Sequence, residues 1–281
     1  MSPHASLSVA QCLRQAQTLS MARLDAQILL LHALAQPLHD RAWLLAHDTE
    51  VLNEAQQHSW GQALQRRLQG EPVAYITGRK DFFGLSLHVD ARVLDPRPDT
   101  EILVEWALEL LPPDQTARVL DLGTGSGAVA LALQHQRPAA QVTAVDASVD
   151  AMAVASANAQ RLNLPVKCVL SHWMDAVPGP FDLIVSNPPY VAEGDPHLAA
   201  LTHEPLSALA SGAEGLDDLR QIIAQAPSRL APGGWLLLEH GWDQAAKVQA
   251  LLRSAGFEKV RSRQDLGGIE RCTGAHLPRG T

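Results

Sequence analysis

The tetrapeptide Asn187-Pro188-Pro189-Tyr190 combines an amide side chain, two rigid imino acids and an aromatic ring. It follows the apolar run 181–186, which is typical of a buried parallel strand. Two successive prolines cannot continue a strand, so the chain leaves the sheet stiffly at its carboxyl edge, where open α/β sheets bind ligands. These groups are suited to hold a planar NH2 group, and a plain strand-ending turn is the alternative interpretation.

A second segment with chemical potential is the glycine-rich loop 121–127, which follows another predicted strand and opens a helix. Glycine lets the backbone turn tightly and lets a ligand approach the main chain closely. The next strand ends in Asp146, whose carboxylate can accept hydrogen bonds from ribose hydroxyls. Together they predict a nucleoside-binding site. Gly123, Gly125 and Ala128 also fit the dinucleotide fingerprint, so the loop alone leaves a nicotinamide enzyme and a methyltransferase open.

The elements that must position these residues alternate between strand and helix in the second half of the chain. The predicted strands are 119–121, 142–146, 166–170, 181–186 and 235–239, with helices such as 128–133 and 151–162 between them and a final hairpin at 259–261 and 270–273. Alternation of this kind predicts an α/β fold, with a seven-stranded, mostly parallel, Rossmann-like sheet and helices on both faces.

The first 70 residues carry helical patterns without strand patterns. Ser20 is predicted to cap a helix whose apolar residues recur at helical spacing, and 42–46 suggests a short second helix. Asn53 is predicted to cap a third helix that ends at Gly70. These patterns predict a small helical bundle that docks a substrate.

A connector separates the bundle from the sheet. The stretches 73–78 and 85–89 both have β character and predict a hairpin. Asp99 or Thr100 is predicted to cap the following helix, 102–111. The predicted domains are a helical substrate-docking domain at 1–71, a β-hairpin connector at 72–98 and a catalytic domain at 99–281.

Composition narrows the classes of function. The 281 residues carry a formal net charge of −8, which disfavours a large nucleic-acid footprint and predicts no stable nucleic-acid partner. The N-terminus lacks a signal peptide pattern, and no run approaches the roughly 20 apolar residues of a membrane span. Three dispersed cysteines and scattered histidines predict no metal site. We therefore expect a cytoplasmic, monomeric protein without membrane association.

The loop, the acidic strand end and the Asn-Pro-Pro-Tyr tetrad together resemble the class I S-adenosylmethionine-dependent methyltransferases, in the branch that methylates planar NH2 groups. Four further segments, 70–78, 96–101, 203–205 and 239–241, are similar to those of the release factor glutamine methyltransferases, the HemK/PrmC family. The resemblance covers nearly the whole chain. Each segment is weakly specific alone, whereas their order and joint presence are strongly specific.

This resemblance implies a cofactor, a substrate and residues for each. The cofactor would be S-adenosylmethionine, and the substrate would be the glutamine of the Gly-Gly-Gln motif in peptide-chain release factors. The cofactor-binding residues would be Gly123, Thr124, Gly125, Ser126, Gly127, Asp146, Trp173 and Asn187. The substrate-binding residues would be Asn187, Pro188, Pro189 and Tyr190. The chain departs from the family pattern at His172, where the family often has Asp, and at Asp95, where it usually has an apolar residue.

The tetrad suggests a mechanism for methylating an amide. A carboxamide nitrogen is a poor nucleophile because its lone pair is delocalised into the carbonyl. We predict that the side-chain oxygen of Asn187 and the carbonyl of Pro188 accept its two hydrogens and favour a pyramidal nitrogen with its lone pair directed outward. Tyr190 would lie against the flat amide, so Asn187, Pro188 and Tyr190 are the predicted catalytic residues.

Other functions fit parts of the same pattern. An exocyclic amine of DNA adenine or RNA guanine is also a planar NH2 group, and a glutamine of a ribosomal protein is a further alternative substrate. A nicotinamide oxidoreductase fits the loop but leaves the tetrad without a role. A non-catalytic module that docks through its helical bundle is the remaining alternative.

Overall fold

The computed structural model describes residues 6–279, and the chain divides into two compact units between Arg79 and Lys80. The first unit is built from helices α1 (Val9–Thr18), α2 (Arg23–Ala33), α3 (Arg41–Ala46), α4 (Glu54–Leu68) and α5 (Val73–Thr77). Its core contains the apolar side chains of α2 together with Trp60, whose indole N–H is satisfied by the Gln15 side chain at 3.0 Å. The predicted helical bundle is confirmed.

The N-cap residues of these helices can be compared with the predicted ones. Asn53 caps α4 as predicted, and Gln56 completes a reciprocal capping box. Ser8 and Gln11 form the same box at α1, a helix that was not predicted. The prediction of Ser20 as a cap was wrong, because Ser20 adopts a left-handed conformation (φ 58°) in the turn that closes α1.

The prediction of a strand at 73–78 was also wrong, since these residues form the short helix α5 and end at Gly78 with φ 68°. Three successive side chains of α5 are buried, and a short apolar run has no periodicity that separates strand from helix. The hairpin lies one element later, as β1 (Arg79–Phe82) and β2 (Leu85–His88). The two residues between these strands both have positive φ, as a tight hairpin turn requires.

The second unit contains the predicted seven-stranded sheet. Its strands are β3 (Arg118–Leu122), β4 (Gln141–Asp146), β5 (Lys167–Leu170), β6 (Phe181–Ser186), β7 (Leu230–Glu239), β8 (Glu258–Gln264) and β9 (Glu270–His276). Their spatial order is β5-β4-β3-β6-β7-β9-β8. The pairs from β5 to β7 are parallel, and β9 runs antiparallel between β7 and β8. The α/β fold class is confirmed.

Helices alternate with these strands and supply much of the core. They are α6 (Glu101–Leu110), α7 (Ala128–Gln136), α8 (Val149–Leu162), α9 (Asp217–Gln225) and α10 (Ala245–Ser254). Side chains of the central strands such as Ile184 and Leu236 pack with Ile222 of α9 and Leu252 of α10, all of them fully buried. Each such side chain contributes about 1.5–3 kcal/mol through burial, which makes the sheet a rigid platform for its loops.

Strand order reverses between β3 and β6. From β3 the chain moves outward through β4 and β5, and from β6 it moves in the opposite direction to β7. At such a reversal the loops leaving neighbouring strands diverge and open a crevice at their carboxyl ends. The glycine loop leaves β3 there, and the tetrad leaves β6. Among residues 6–279, no helix is long and apolar enough to cross a membrane.

Candidate functional site

The glycine loop after β3 has a backbone that only glycine adopts easily. Gly123, Gly125 and Gly127 have φ of 66°, 55° and 86°. The Thr124 N–H donates to the carbonyl of Val145 at 2.9 Å, which ties the loop to the neighbouring strand β4. The loop thereby presents main chain, rather than side chains, to the crevice.

Asp121 holds this loop from beneath. Its Oδ2 accepts the Thr124 hydroxyl at 2.6 Å and the Ala130 N–H at 3.2 Å, so one buried carboxylate joins the loop to the first turn of α7. Burial raises the pKa of Asp121 to about 7, against the lowering effect of both hydrogen bonds. The Thr124 hydroxyl is occupied by this contact.

Asp146 at the end of β4 faces the loop from the other side. Its Oδ2 accepts the Gly125 N–H at 3.0 Å, and its Oδ1 accepts the Ser148 N–H at 2.9 Å. A carboxylate offers about four lone-pair positions, so acceptor capacity for two ribose hydroxyls remains. The predicted role of Asp146 fits this geometry.

A cavity of about 280 Å³ lies where these elements meet. Of the predicted site residues, six line it: Gly123, Gly125, Asp146, Trp173, Asn187 and Pro189. Five predicted residues are not in its lining: Thr124, Ser126, Gly127, Pro188 and Tyr190. Most of this second group is buried. The Ser126 carbonyl accepts a hydrogen bond from the buried Asn158 side chain at 3.0 Å.

Trp173 closes one side of the cavity. It has a left-handed backbone (φ 44°), and only 9% of its surface is exposed. A Cβ added to Gly123 would stand 3.4 Å from the indole, an ordinary van der Waals contact, so it is the positive φ of 66° that favours glycine there. His172 also lines the cavity. This cavity fits a nucleoside cofactor such as S-adenosylmethionine. It offers the flat indole of Trp173, the exposed main chain of the glycine loop, and the carboxylate of Asp146 with unused acceptor positions.

The tetrad after β6 is anchored from two directions. The Asn187 side-chain NH2 donates to the Thr100 hydroxyl oxygen at 3.1 Å, and its Oδ1 accepts no hydrogen bond from residues 6–279. The main-chain carbonyl of Tyr190 accepts from the Gln244 side chain at 3.0 Å. The Tyr190 hydroxyl donates to Glu239 at 3.4 Å. Burial raises the pKa of Tyr190 above its usual value.

Glu239 lies beneath the tetrad at the end of β7. It is 2% exposed, and the Tyr190 hydroxyl donates to its Oε1 at 3.4 Å. Its Oε2 has no hydrogen-bond partner among the described residues, and burial raises the pKa of Glu239 to about 7 against the lowering effect of Thr100 and Tyr190. The residues that the sequence patterns missed at this site are Glu239, Thr100 and Asn158. Thr100 precedes α6 but makes no side-chain cap there, so its prediction as a capping side chain was wrong.

Two of the remaining sequence motifs also meet here. Arg97 of the segment 96–101 forms an ion pair with the buried carboxylate of Glu204, which belongs to the segment 203–205. The next residue, Pro205, lines the cavity. Within residues 6–279, no group of three or more His, Cys, Asp or Glu side chains is placed to hold a metal ion.

Family models match both units of the chain. The model described as "Methyltransferase small domain" matches residues 100–264, and the model described as "PrmC N-terminal domain" matches residues 5–78. A release factor glutamine methyltransferase of Bordetella pertussis is 50% identical over 91% of this chain and 95% of that protein. One of Pseudomonas aeruginosa is 50% identical over 90% of this chain and 91% of that protein.

Solved structures share the fold at lower identity. A methyltransferase from Pyrococcus furiosus matches with a TM-score of 0.56 and 19% identity, over 78% of this chain and 99% of that chain. A 16S rRNA methyltransferase of T. thermophilus, in complex with AdoMet and guanosine, matches with a TM-score of 0.53 and 21% identity. That match covers 71% of this chain and 49% of the other. The fold is therefore that of known methyltransferases.

Proposed function

The chain belongs to the release factor glutamine methyltransferase family, and on that premise we propose that it methylates the side-chain amide nitrogen of a glutamine in a peptide-chain release factor. The proposed target is the glutamine of the Gly-Gly-Gln motif. One observation supports placing this reaction at the tetrad. The Asn187 side chain donates through its NH2 group to Thr100, while its Oδ1 accepts no hydrogen bond from the described residues. An amide oxygen free beside a cavity is a ready acceptor for the N–H of another amide.

The methyl donor is S-adenosylmethionine, whose sulfonium supplies an already activated methyl group. The chain's own residues bind and orient it. The main chain of Gly123 and Gly125 accommodates it without side-chain obstruction, and Asp146 accepts hydrogen bonds from its ribose. Trp173 offers a flat apolar surface to its base, and Asn187 and Pro189 mark the side of the cavity next to the substrate.

The tetrad binds the glutamine amide and prepares its nitrogen for attack. Asn187 Oδ1 and the Pro188 carbonyl accept the two N–H groups, so the nitrogen lone pair is directed away from these acceptors. As the nitrogen takes the methyl group, the bond between methyl carbon and sulfonium sulfur breaks, and one N–H proton then passes to solvent. Positive charge grows on the nitrogen during the attack, and acceptors fixed in advance stabilise that charge more than they stabilise the ground state. Pro188 and Pro189 keep the acceptors rigid.

The partner and its docking follow from the same premise. The release factor binds transiently as a protein substrate in the cytoplasm, and the enzyme acts as a monomer without stable nucleic acid. The helical domain, proposed as residues 1–71, docks the release factor, the segment 72–98 connects the domains, and 99–281 catalyses the reaction.

The test is a methyl-transfer assay with labelled S-adenosylmethionine and three separate acceptors: a release factor, ribosomal proteins and DNA. We expect label on the release factor alone, and mass mapping should place one methyl group on the Gly-Gly-Gln glutamine. The matched control is the same release factor with that glutamine replaced by glutamate, which keeps the shape and loses the NH2 group. Label on DNA or a ribosomal protein would replace this function with one of the alternatives.

A further inference from the structure

One buried side chain, that of Gln244, joins the end of the tetrad to two other loops. Its Nε2 lies 3.0 Å from the carbonyl oxygen of Tyr190, 3.2 Å from that of Gly215 and 3.4 Å from that of Glu214. Its Oε1 accepts the main-chain N–H of Gly241 at 2.8 Å. Gln244 is 5% exposed, so these contacts are shielded from water. The loops that leave β6 and β7 and the turn that precedes α9 therefore meet at one amide.

The amide of Gln244 has only one orientation that satisfies its surroundings. Three carbonyl oxygens face its nitrogen and one N–H faces its oxygen, so the reversed amide would set oxygen against oxygen and N–H against N–H. The turn at Gly215 is also pressed against the tetrad, because a Cβ built there would collide with the Tyr190 carbonyl oxygen. The contact is therefore fixed in both direction and distance.

The tetrad has little internal freedom, so its two ends determine where its acceptors point. Pro188 and Pro189 have their φ angles fixed by their rings. Asn187 directly follows β6, and the pairing of that strand in the sheet holds this end. At the other end, the Tyr190 carbonyl is held by Gln244. If that end were released, the Pro188 carbonyl could turn about the ψ angles that remain free.

We propose that Gln244 is a positioning residue for methyl transfer, which holds the Tyr190 carbonyl and thereby keeps the Pro188 carbonyl in the direction that accepts the substrate amide. The inference rests on the proposed function for the identity of the substrate. The hydrogen bond between Gln244 and Tyr190 belongs to the chain itself and is measured without substrate. Gln244 is not in the lining of the cavity, so it acts through the tetrad and not through the cofactor.

A second buried glutamine, Gln134, provides a matched control. Its Nε2 also lies near three main-chain carbonyl oxygens, at 3.2–3.4 Å, and Gln134 is 1% exposed. Those carbonyls belong to the turn 137–140, which precedes β4, whereas the cavity lies beyond the carboxyl end of β4 at Asp146. Gln244→Met and Gln134→Met thus remove the same group from the same kind of surroundings, beside the tetrad in one case and far from it in the other.

The rate of methyl transfer separates the two positions. At saturating cofactor and release factor, we expect Gln244→Met to lower the single-turnover rate about 10-fold or more, because a misplacement of about 1 Å can cost about 10²-fold. Gln134→Met should keep a rate near that of the parent chain, although urea titrations should show a loss of stability in both variants. Both should bind S-adenosylhomocysteine like the parent chain, since neither glutamine lines the cavity.

Gln244→Glu tests the donor itself at constant shape. An ionised carboxylate only accepts and would face three carbonyl oxygens, whereas a protonated carboxyl group donates to one of them. Burial and these neighbours favour the neutral form, so the introduced carboxyl should have a raised pKa. The rate relative to the parent chain should therefore rise as pH falls in Gln244→Glu, and it should stay equally low at every pH in Gln244→Met.

NMR reports the hydrogen bond without any activity. The chain has two tyrosines, Tyr75 and Tyr190, and only Tyr190 is followed by valine. Labelling tyrosine with ¹³C at the carbonyl and valine with ¹⁵N therefore gives one coupled carbonyl resonance, that of Tyr190. Loss of an N–H donor moves a carbonyl resonance upfield, so this signal should move upfield in Gln244→Met and keep its position in Gln134→Met.

Equal losses of rate in Gln244→Met and Gln134→Met would overturn the inference, as would a Tyr190 carbonyl resonance that Gln244→Met leaves in place. A parent chain that methylates no release factor, while Gln244→Met shows the carbonyl shift, would contradict the proposed function and support the anchoring of the tetrad by Gln244. A parent chain that methylates the release factor no faster than Gln244→Met does would uphold the function and refute the positioning role.

Discussion

The two loops that build the site, one after β3 and one after β6, are held in place by different kinds of contact. The main-chain N–H groups within and beside the glycine loop donate to the carboxylates of Asp121 and Asp146, which stand in and at the end of the two adjoining strands β3 and β4. The tetrad is fixed by side chains from distant parts of the chain, since Thr100 is 87 positions before Asn187 and Glu239 is 49 positions after Tyr190.

This difference separates what each loop can recognise. A main-chain cradle presents N–H groups and free space, which suits a cofactor that is the same in every turnover. A side-chain amide presents an acceptor in one of two orientations, which suits discrimination of an N–H group from an oxygen. Damage to the first loop should therefore weaken cofactor binding, and damage to the second should slow chemistry.

The most severe test of this division is Asn187→Ala. It removes the proposed acceptor while leaving the glycine loop unchanged, so the single-turnover rate should fall about 10²-fold or more. The dissociation constant of S-adenosylhomocysteine, measured by calorimetry, should rise much less than the rate falls, because Asn187 is only one of several residues that line the cavity. A near-normal single-turnover rate in this variant would contradict the role of the tetrad.

Asp146→Asn should have a smaller effect, and on cofactor affinity rather than on the rate of methyl transfer. One of its oxygens becomes an NH2 group and can no longer accept the N–H of Gly125 or Ser148. The dissociation constant of S-adenosylhomocysteine should rise about 10-fold, the size of one charge-assisted hydrogen bond, while the single-turnover rate at saturating cofactor stays near that of the parent chain. The division fails if the saturated rate falls as much as the affinity.

The smallest expected effect concerns stability rather than activity. Because the folded pKa of Asp121 is raised to about 7, folded Asp121 keeps its proton at pH values where the unfolded chain has lost it. Its contribution to stability is full below the unfolded pKa and is lost as pH rises through about 7.

Asp121→Asn removes this dependence. Relative to the parent chain, its free energy of unfolding should increase by about 1 kcal/mol between about pH 6 and pH 7.5, as urea titrations at both pH values would measure. Glu239 titrates over the same interval in both proteins, so its contribution cancels in the comparison. A difference that does not vary with pH would mean that Asp121 is ionised throughout.

The sequence predicted those parts of the site that are local. Asp146 and the tetrad stand directly after apolar strands, and neighbouring strand ends meet at one edge of the sheet, so their proximity followed from the pattern. Thr100 and Glu239 were missed in their roles because their contact with the tetrad depends on which strand lies beside β6, and periodicity does not report strand order. The available signals were a glutamate that ends an apolar strand and the family likeness of the segments 96–101 and 239–241.

The elements of the fold also divide into those that the sequence pattern predicted and those that it did not. The five parallel strands were predicted because each is a compact apolar run between turn residues. The segment 73–78 was misassigned because its apolar residues are too few to show a period, and a helix and a strand bury them equally well. The domain boundaries at 71 and 98 remain a prediction.

Thr100 and Glu239, two residues that contact the tetrad, are far apart in the sequence, and this affects how the site forms during synthesis. A nascent chain acquires Thr100 first, then Asn187, and Glu239 only after most of the polypeptide has been made. β7, which carries Glu239, must also pair with β6 before the carboxylate reaches Tyr190. Contacts between such distant positions form late because loop closure must precede them. An incompletely translated chain would thus carry the whole glycine loop and tetrad and still lack the carboxylate that contacts Tyr190.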